Sequence, residues 1–426
     1  MQKEERRMRI NAERLKAHFE VLSQIGKFGE TGVCRPTLSE VEKRAFEVVS
    51  EWMKEAGMTT RIDHFGNLLG RLEGKDSRAP ILMMGSHLDS QPYGGRFDGS
   101  AGVLCAIEAV ASLTEHGIVP ERPIEVVSFC DEEGWRFNKG LFGSRGMVGR
   151  LEEGEWLRED KDGITREEAL RQFGCDPDRF SESVYPPGSI HAYLELHIEQ
   201  GPILESRHQP VGIVSGISGP LWLTVKLRGM AGHAGSVPMK LRQDALVGAA
   251  EVTLALNEIV KQNPDAPTVG TVGSMSVFPD SPNIVPEEVV LTIDLRDIDQ
   301  DRRNRYEIQL RNRITEIAEK HRLSYEITED INIEPRYCAG WIKDMMYKEC
   351  ETLELDVPEL MSGPFHDALI LSYACDYGMI FVRSKDGISH NPLEYSSYED
   401  LALGTDVLYG TVLRMVSHVT RVKSPS

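Results

Sequence analysis

"APILMMGSHLDSQPYGGRFDGSAGVLCAIEAVASLTEHGIVPERPIEVVSFCDEE", residues 79–133, decides the fold. Two runs, "APILMMGSH" and "RPIEVVSFCDEE", stay apolar and then turn abruptly polar or acidic, as buried strands do where they leave a sheet. Between them, "FDGSAGVLCAIEAVASLTEHG" reads as a helix closed by Gly117. Upstream, "TLSEVEKRAFEVVSEWMKEAG" (37–57) predicts an amphipathic helix. Thr37 and Glu40 stand there at capping-box spacing, Val41, Ala45, Val48, Val49, Trp52 and Ala56 share one face, and Gly57 ends it. Helix, strand, helix, strand predicts an α/β domain, in which functional residues gather beyond the carboxyl ends of strands.

Farther along, 211–332 has another texture. "LWLTVKLRG" and "VVLTIDLRD" alternate apolar and polar residues, as half-buried antiparallel strands do, and helical stretches lie near 241–262 and 300–321. A small α+β domain fits. "YGMIFVRSKDGISHNPLEYSS" then returns to an apolar strand with a polar, histidine-bearing loop, so the chain is expected to re-enter the first domain. The boundaries read as 1–212 for the first part of a catalytic domain, 213–331 for the inserted domain, and 332–426 for the second part. The charged stretch 151–182 reads as an exposed helical excursion.

Composition narrows the function classes. The chain has 426 residues, 40% hydrophobic, with a formal net charge of −19. Its length favours two domains. The acidic balance argues against a sequence-independent grip on nucleic-acid phosphates. The N-terminal stretch "MQKEERRMRINAERLKAHFEVLSQIG" lacks the continuous apolar core of a signal peptide or membrane span, so no membrane partner is expected. Seven cysteines form no CxxC pair, which suits reduced thiols and a cytoplasmic protein.

Chemistry concentrates at the predicted strand ends. His87 follows "PILMMGS", with Asp89 two residues on and Asp98 in the glycine-rich loop; Asp131, Glu132 and Glu133 end "IEVVSFC"; His197 lies in "YLELHIEQGP"; His390 lies in "ISHNP". Each alone has an ordinary alternative, a structural histidine or a solvated turn. Consecutive carboxylates at the end of a buried strand are costly unless partnered, and divalent cations remove that cost. Three histidines and two carboxylates exceed the ligand set of one catalytic zinc, so a pair of ions is expected. Asp98 is the natural bridge, in a loop whose glycines permit an unusual backbone path. Asp89 is placed to accept a hydrogen bond from the second nitrogen of His87. Glu132 is left free as general base toward the attacking water.

"GSHLDSQPYGGRFDGSAG", "DEEGWRF", "LHIEQGP", "GMAGHAGSVPM" and "ISHNPLEYS", in that order, resemble the hydantoinase/carbamoylase branch of the dinuclear aminoacylase and carboxypeptidase superfamily, over residues 10 to 415. The branch holds N-carbamoyl-L-amino-acid hydrolases, β-ureidopropionases, allantoate amidohydrolases and ureidoglycolate amidohydrolases. The resemblance implies a metallopeptidase-like catalytic domain with a mixed, mainly parallel sheet, interrupted by a smaller α+β lid and dimerisation domain. It implies one metal on His87, Asp98 and His197, another on Asp98, Glu133 and His390, and Glu132 as general base and then acid. Gln200 would face the substrate. His233, Asn283 and Arg296 match positions that bind substrate or stabilise the oxyanion, partly across a dimer interface. Without the resemblance each has a plainer reading: a turn cap for His233, a turn bond for Asn283, and pairing with Asp294 or Asp297 for Arg296. With it, Arg296 becomes a bidentate clamp for a substrate carboxylate. His366 matches another substrate-side histidine, but Gly363, Pro364 and Phe365 stand where the family has Gly-Ala-Gly, so Phe365 is expected to reshape the pocket. Arg96 is left between pairing with an acidic neighbour and facing the substrate.

The expected reaction is metal-dependent hydrolysis of the ureido C–N bond of an N-carbamoyl-L-amino acid, giving amino acid, ammonia and carbon dioxide. Allantoate, ureidoglycolate or N-carbamoyl-β-alanine are the alternatives, then an aminoacylase or dipeptidase. A silent dimeric binding protein would need a missing ligand or a missing Glu132, and none is missing. The expected cofactors are two divalent ions, zinc or manganese, with cobalt or nickel also suited to the ligands. The expected partners are a small ureido substrate bearing a carboxylate and a second copy of the chain.

Overall fold

A computed structural model describes residues 9–417, and they divide into two compact units. The first comprises residues up to Val214, Cys338–Leu360, and His366 onward; the second comprises Ser215–Tyr337 with Met361–Phe365.

The first unit is built on a mixed sheet. In spatial order its strands include Val211–Ile217, Asp376–Val382, Ile190–Ile198, Ile81–His87, Ile124–Phe129, Leu68–Leu72 and Thr59–Ile62. The four from Asp376–Val382 to Ile124–Phe129 pair in parallel, and antiparallel strands flank them on both sides. Every residue of Ile81–His87 and Ile124–Phe129 is buried, which explains their unbroken apolar runs. The helix Ser100–Glu115, buried from Ser100 through Leu113, connects these two strands. His87, Asp131–Glu133 and His197 therefore all leave the carboxyl edge of parallel strands.

The predicted capping box at Thr37 is displaced. The helix runs Glu40–Glu55 with Ser39 as its cap, accepting the Glu42 N–H. Buried Thr37 instead places its hydroxyl 3.3 Å from the Cys130 thiol. The stretch 151–182 is also not simply exposed. Arg166–Phe173 is a helix, and Glu155, Arg166, Ala169 and Leu170 are buried. Arg166 donates to Asp131 and Glu155, both at 2.8 Å, so the charges that suggested a solvated excursion neutralise one another inside the unit.

In the second unit a four-stranded antiparallel sheet has the order Val269–Phe278, Glu288–Asp297, Gly219–Arg228, Ser324–Asn332. Leu221, Leu223, Val225 and Leu227 alternate inward with Val289, Leu291, Ile293 and Leu295 against the helices Ala245–Val260 and Gln300–His321. Residues between them, such as Trp222, Thr224, Asp294 and Arg296, line the opposite face.

Candidate metal centre and active site

Asp98 is the focus. One of its oxygens, Oδ1, lies 3.2 Å from His197 Nε2 and 3.7 Å from His87 Nε2, while Oδ2 lies 3.2 Å from His390 Nε2. Glu133 approaches the same His390 nitrogen at 3.5 Å. Two groups result, His87–Asp98–His197 and Asp98–Glu133–His390, each with its ligand atoms within 4.8 Å of one another and with Asp98 in common. A third, Glu195–His197–His366, shares His197. Its Glu195 oxygens already accept from Ser86, Tyr193 and the Ala368 N–H, so it forms a protein hydrogen-bond network.

The backbone at the site is bent into conformations seldom adopted elsewhere. Asp131 and Gln200, each two residues past a strand, and His390, in the loop that follows Asp376–Val382, have φ of 54°, 55° and 51°. Such residues persist where surrounding structure over-determines them. Gly99, at φ 62°, could carry no side chain: a Cβ there would lie 2.3 Å from the His87 ring. The glycine lets the Asp98 loop close onto His87.

The orientation of His87 differs in detail from expectation. Its Nδ1 bonds to the main-chain carbonyl of Asp89 at 3.0 Å, and the Asp89 carboxylate stands off at 3.6 Å. That carboxylate instead accepts the N–H groups of Glu132 and Glu133, at 3.3 and 3.2 Å. With one oxygen engaged by each of those N–H groups, the carboxylate is held off the imidazole. Asp89 thereby ties the His87 strand to the acidic turn.

Electrostatics fit a cation site. Burial pushes His87 down to about 4, leaving a neutral imidazole with a free lone pair. Burial opposes charge on His197 too, but the Asp98 hydrogen bond and charge outweigh it, raising His197 to about 9. His390 rises to about 9 through its bond to Asp98. Burial and then the Asp98 charge push Glu133 up to about 7. Burial pushes Glu132 well above the ordinary carboxylate range, reinforced by Asp367, Glu133, Asp89 and Asp98. Carboxylates crowded in this way repel one another unless positive charge enters among them. Imidazole nitrogens and carboxylate oxygens are the donors that zinc or manganese takes, so the residues suit the implied pair of ions.

Gln200 donates to Asp98 Oδ2 at 2.9 Å and to Ser389 at 3.2 Å, while its buried Oε1 has no partner. The His366 ring lies edge-on to His197, with centroids 4.4 Å apart. Glu132 Oε2 is 3.6 Å from His87 Nε2. The second unit holds the remaining predicted residues. His233 and Asn283 are brought together, for the Ala234 N–H donates to the Asn283 carbonyl at 2.8 Å beside the Gly232–His233 bridge strand. Arg296 pairs with Asp294, the plainer of its two readings. Among the described residues Arg96 makes no ion pair: its guanidinium carbon lies 5.1 Å from the Phe97 ring centre and 6.0 Å from that of Tyr395.

Several supporting residues escaped the sequence reading. Glu394 accepts the N–H groups of Phe97 and Asp98 and the Ser389 hydroxyl. Gln91 holds Glu133 at 2.7 Å. Buried Arg35 donates to the Leu88 carbonyl and Ser100 hydroxyl, clasping both ends of the glycine-rich loop. Glu394 lies within a quoted motif and could have been suspected; Gln91 and Arg35 carry no such signal.

An α/β unit with paired histidine–carboxylate clusters at its strand ends, and an α+β unit inserted in its sequence, defines a class of metal-dependent hydrolases. The chain belongs to peptidase family M20/M25/M40, whose profile matches residues 83–414, and it is a hydrolase acting on C–N bonds. It is 47% identical to the N-carbamoyl-L-amino-acid amidohydrolase of Pseudomonas sp. (strain NS671), covering 96% of this chain and 99% of that one. It is 34% identical to the allantoate deiminase of Arabidopsis thaliana, covering 91% and 80%. A solved amidase of the hydantoinase/carbamoylase family from Burkholderia multivorans superposes with a TM-score of 0.90 at 34% identity, covering 96% and 99%.

Proposed function

We propose that the protein is an N-carbamoyl-L-amino-acid amidohydrolase, releasing the amino acid, ammonia and carbon dioxide. The observation that carries this reading is the doubly shared Asp98 between two histidine-bearing groups, with Glu132 beside them. Its support from relatives is the near full-length likeness to carbamoyl-amino-acid amidohydrolases at 47% and 41%, against 34% for allantoate deiminase.

His87, Asp98 and His197 would hold one divalent ion and Asp98, Glu133 and His390 a second, zinc or manganese. Bound there, the ions would supply Lewis acidity to the ureido carbonyl and to water. Glu132 takes the proton of the attacking water and delivers it to the leaving nitrogen; its raised affinity for protons suits both steps. Asp89 keeps the Glu132–Glu133 backbone in place. Gln200, His366 and Asn283 are assigned to the substrate, His233 to the oxyanion, and Arg296 to the substrate carboxylate.

Homodimerisation belongs to the same reading. On the second unit, Leu246, Val247 and Leu254 of one helix and Val269, Met275 and Phe278 of the edge strand are exposed, a surface suited to a second copy. Free cysteines suit the reducing cytoplasm, and among the described residues no helix is long and apolar enough to cross a membrane.

The test is ammonia release by metal-reconstituted protein with N-carbamoyl-L-amino acids, N-carbamoyl-β-alanine, allantoate and ureidoglycolate. The carbamoyl amino acids should give the highest kcat/KM. A higher value with allantoate would move the assignment, and no turnover with any ureide would end it.

A further inference from the structure

Arg296 was assigned above to a substrate carboxylate, yet its fork is already occupied. Its Nε donates to Asp294 at 2.9 and 3.1 Å, Nη2 donates to Asp294 at 2.7 Å, and Nη1 donates to the Gly363 carbonyl at 2.8 Å. A guanidinium has five N–H donors. With these contacts made, one N–H remains on each terminal nitrogen, the number an incoming carboxylate needs for a two-point contact. Residues 294 and 296 alternate with buried Ile293 and Leu295, so both project from the sheet face that the helices leave uncovered. The guanidinium carbon also lies 5.8 Å from the centre of the Phe365 ring, within cation–π range. Phe365 stands where the resemblance implies a small residue, so the ring beside Arg296 is a feature of this chain.

We infer that Asp294 and Phe365 hold Arg296 in one orientation as a fixed carboxylate receptor, Asp294 as a positioning residue and Phe365 as the residue that sets how strictly a carboxylate is required. This rests on Arg296 being the carboxylate-binding residue of the proposed reaction. A free arginine side chain loses rotamer freedom when it captures a ligand, at about 0.5–1.5 kcal/mol. Asp294 removes that cost in advance by fixing the Nε edge, and it neutralises the site so that arbitrary anions are not retained. The Gly363 carbonyl fixes the third direction. The ring of Phe365 presents its face to the guanidinium charge at cation–π range and takes the place of water on that side, which sharpens the preference for an anionic partner.

The experiment uses the full-length, metal-loaded enzyme with the best N-carbamoyl-L-amino acid of the panel and the carboxamide of that compound, the latter read as substrate or as competitive inhibitor. Asp294→Asn should raise KM for the acid about 2- to 10-fold, the rotamer cost restored, with kcat within about twofold and the carboxamide unaffected. Phe365→Leu should lose about 2- to 5-fold of the acid-over-amide preference, and Phe365→Tyr should keep it. A KM for the acid that stays the same or falls in Asp294→Asn overturns the positioning role, as does equal weakening of acid and amide. Equal selectivity in the Leu and Tyr variants overturns the role of the ring. Both sites are partly exposed, so melting curves should stay close to the parent's, and a large drop would show that the residues act on folding instead. Absence of ureide hydrolysis by the parent enzyme would be a failure of the proposed function, distinguishable because it precedes any variant.

Discussion

Glu394 accepts the main-chain N–H of Asp98 at 3.0 Å across 296 positions of sequence. The same oxygen takes the N–H of Phe97 at 2.9 Å, and a Cβ on Gly95 would collide with this side chain. One buried carboxylate thus fixes the backbone of the aspartate proposed as the bridge. Glu394→Ala should weaken metal binding and turnover together by about 10- to 100-fold, the range typical of residues that support metal ligands. Titration of metal into chelator-stripped protein, run beside the ammonia assay, checks it; unchanged metal affinity would rule the role out.

Glu132 differs from its neighbour Glu133 in what it touches. Glu133 meets His390 and Gln91, whereas Glu132 faces His87. Glu132→Gln should therefore retain bound metal while losing about 10²- to 10⁴-fold in kcat. Metal content and steady-state kinetics on one preparation decide it, and full turnover by the variant would sink the assignment of the base.

Gly99→Ala should be harsher than its size suggests. The new methyl would press on the His87 ring from 2.3 Å, at a left-handed φ that alanine resists. Loss of activity with loss of bound metal, and little change in secondary structure by circular dichroism, is the expected result. Retention of metal and activity would mean that the loop can retreat.

Acid sensitivity should trace to the 131–166 region. Burial alone would raise Glu155, but hydrogen bonds from Arg145 and Lys139 outweigh it and hold its carboxyl down to about 2, below its ordinary 4.5. A depressed folded value means stability that is complete above the unfolded value and is lost as pH falls from about 4.5 toward 2. Glu155→Gln should lower stability at neutral pH by about 3 kcal/mol, as breaking a buried ion pair does. That deficit should shrink below pH 4. Thermal melts of both proteins across this range provide the check, and a deficit independent of pH would exclude the ionic origin.

Sequence reading reached His87, Asp98, Glu133, His197 and His390 because buried strands announce their ends by a sudden change of polarity, and charged residues at those ends need a reason. The α/β organisation followed from the same runs. The second unit was legible through alternation in "VVLTIDLRD", whose period matches the pleat. What escaped was determined by tertiary distance. Nothing near Arg35 signals that it will clasp Leu88 and Ser100. The charges of 151–182 resembled a solvent face because Glu155, Arg166 and Asp131 find one another only on folding. The helix start shifted from Thr37 to Ser39 because both offer a hydroxyl, and the Cys130 contact claims the first.

Asp98 meets Ser389 and Glu394 from segments 291 and 296 positions farther along, with the entire second unit encoded between. During synthesis on the ribosome, Asp98 emerges long before the residues that lock its loop. The nascent chain can present His87, Asp98 and His197 but has no His390 to complete the second group. On the proposed assignment, hydrolytic competence is withheld from partial chains: a product truncated before residue 390 would encode every described strand of the sheet and still lack the second group.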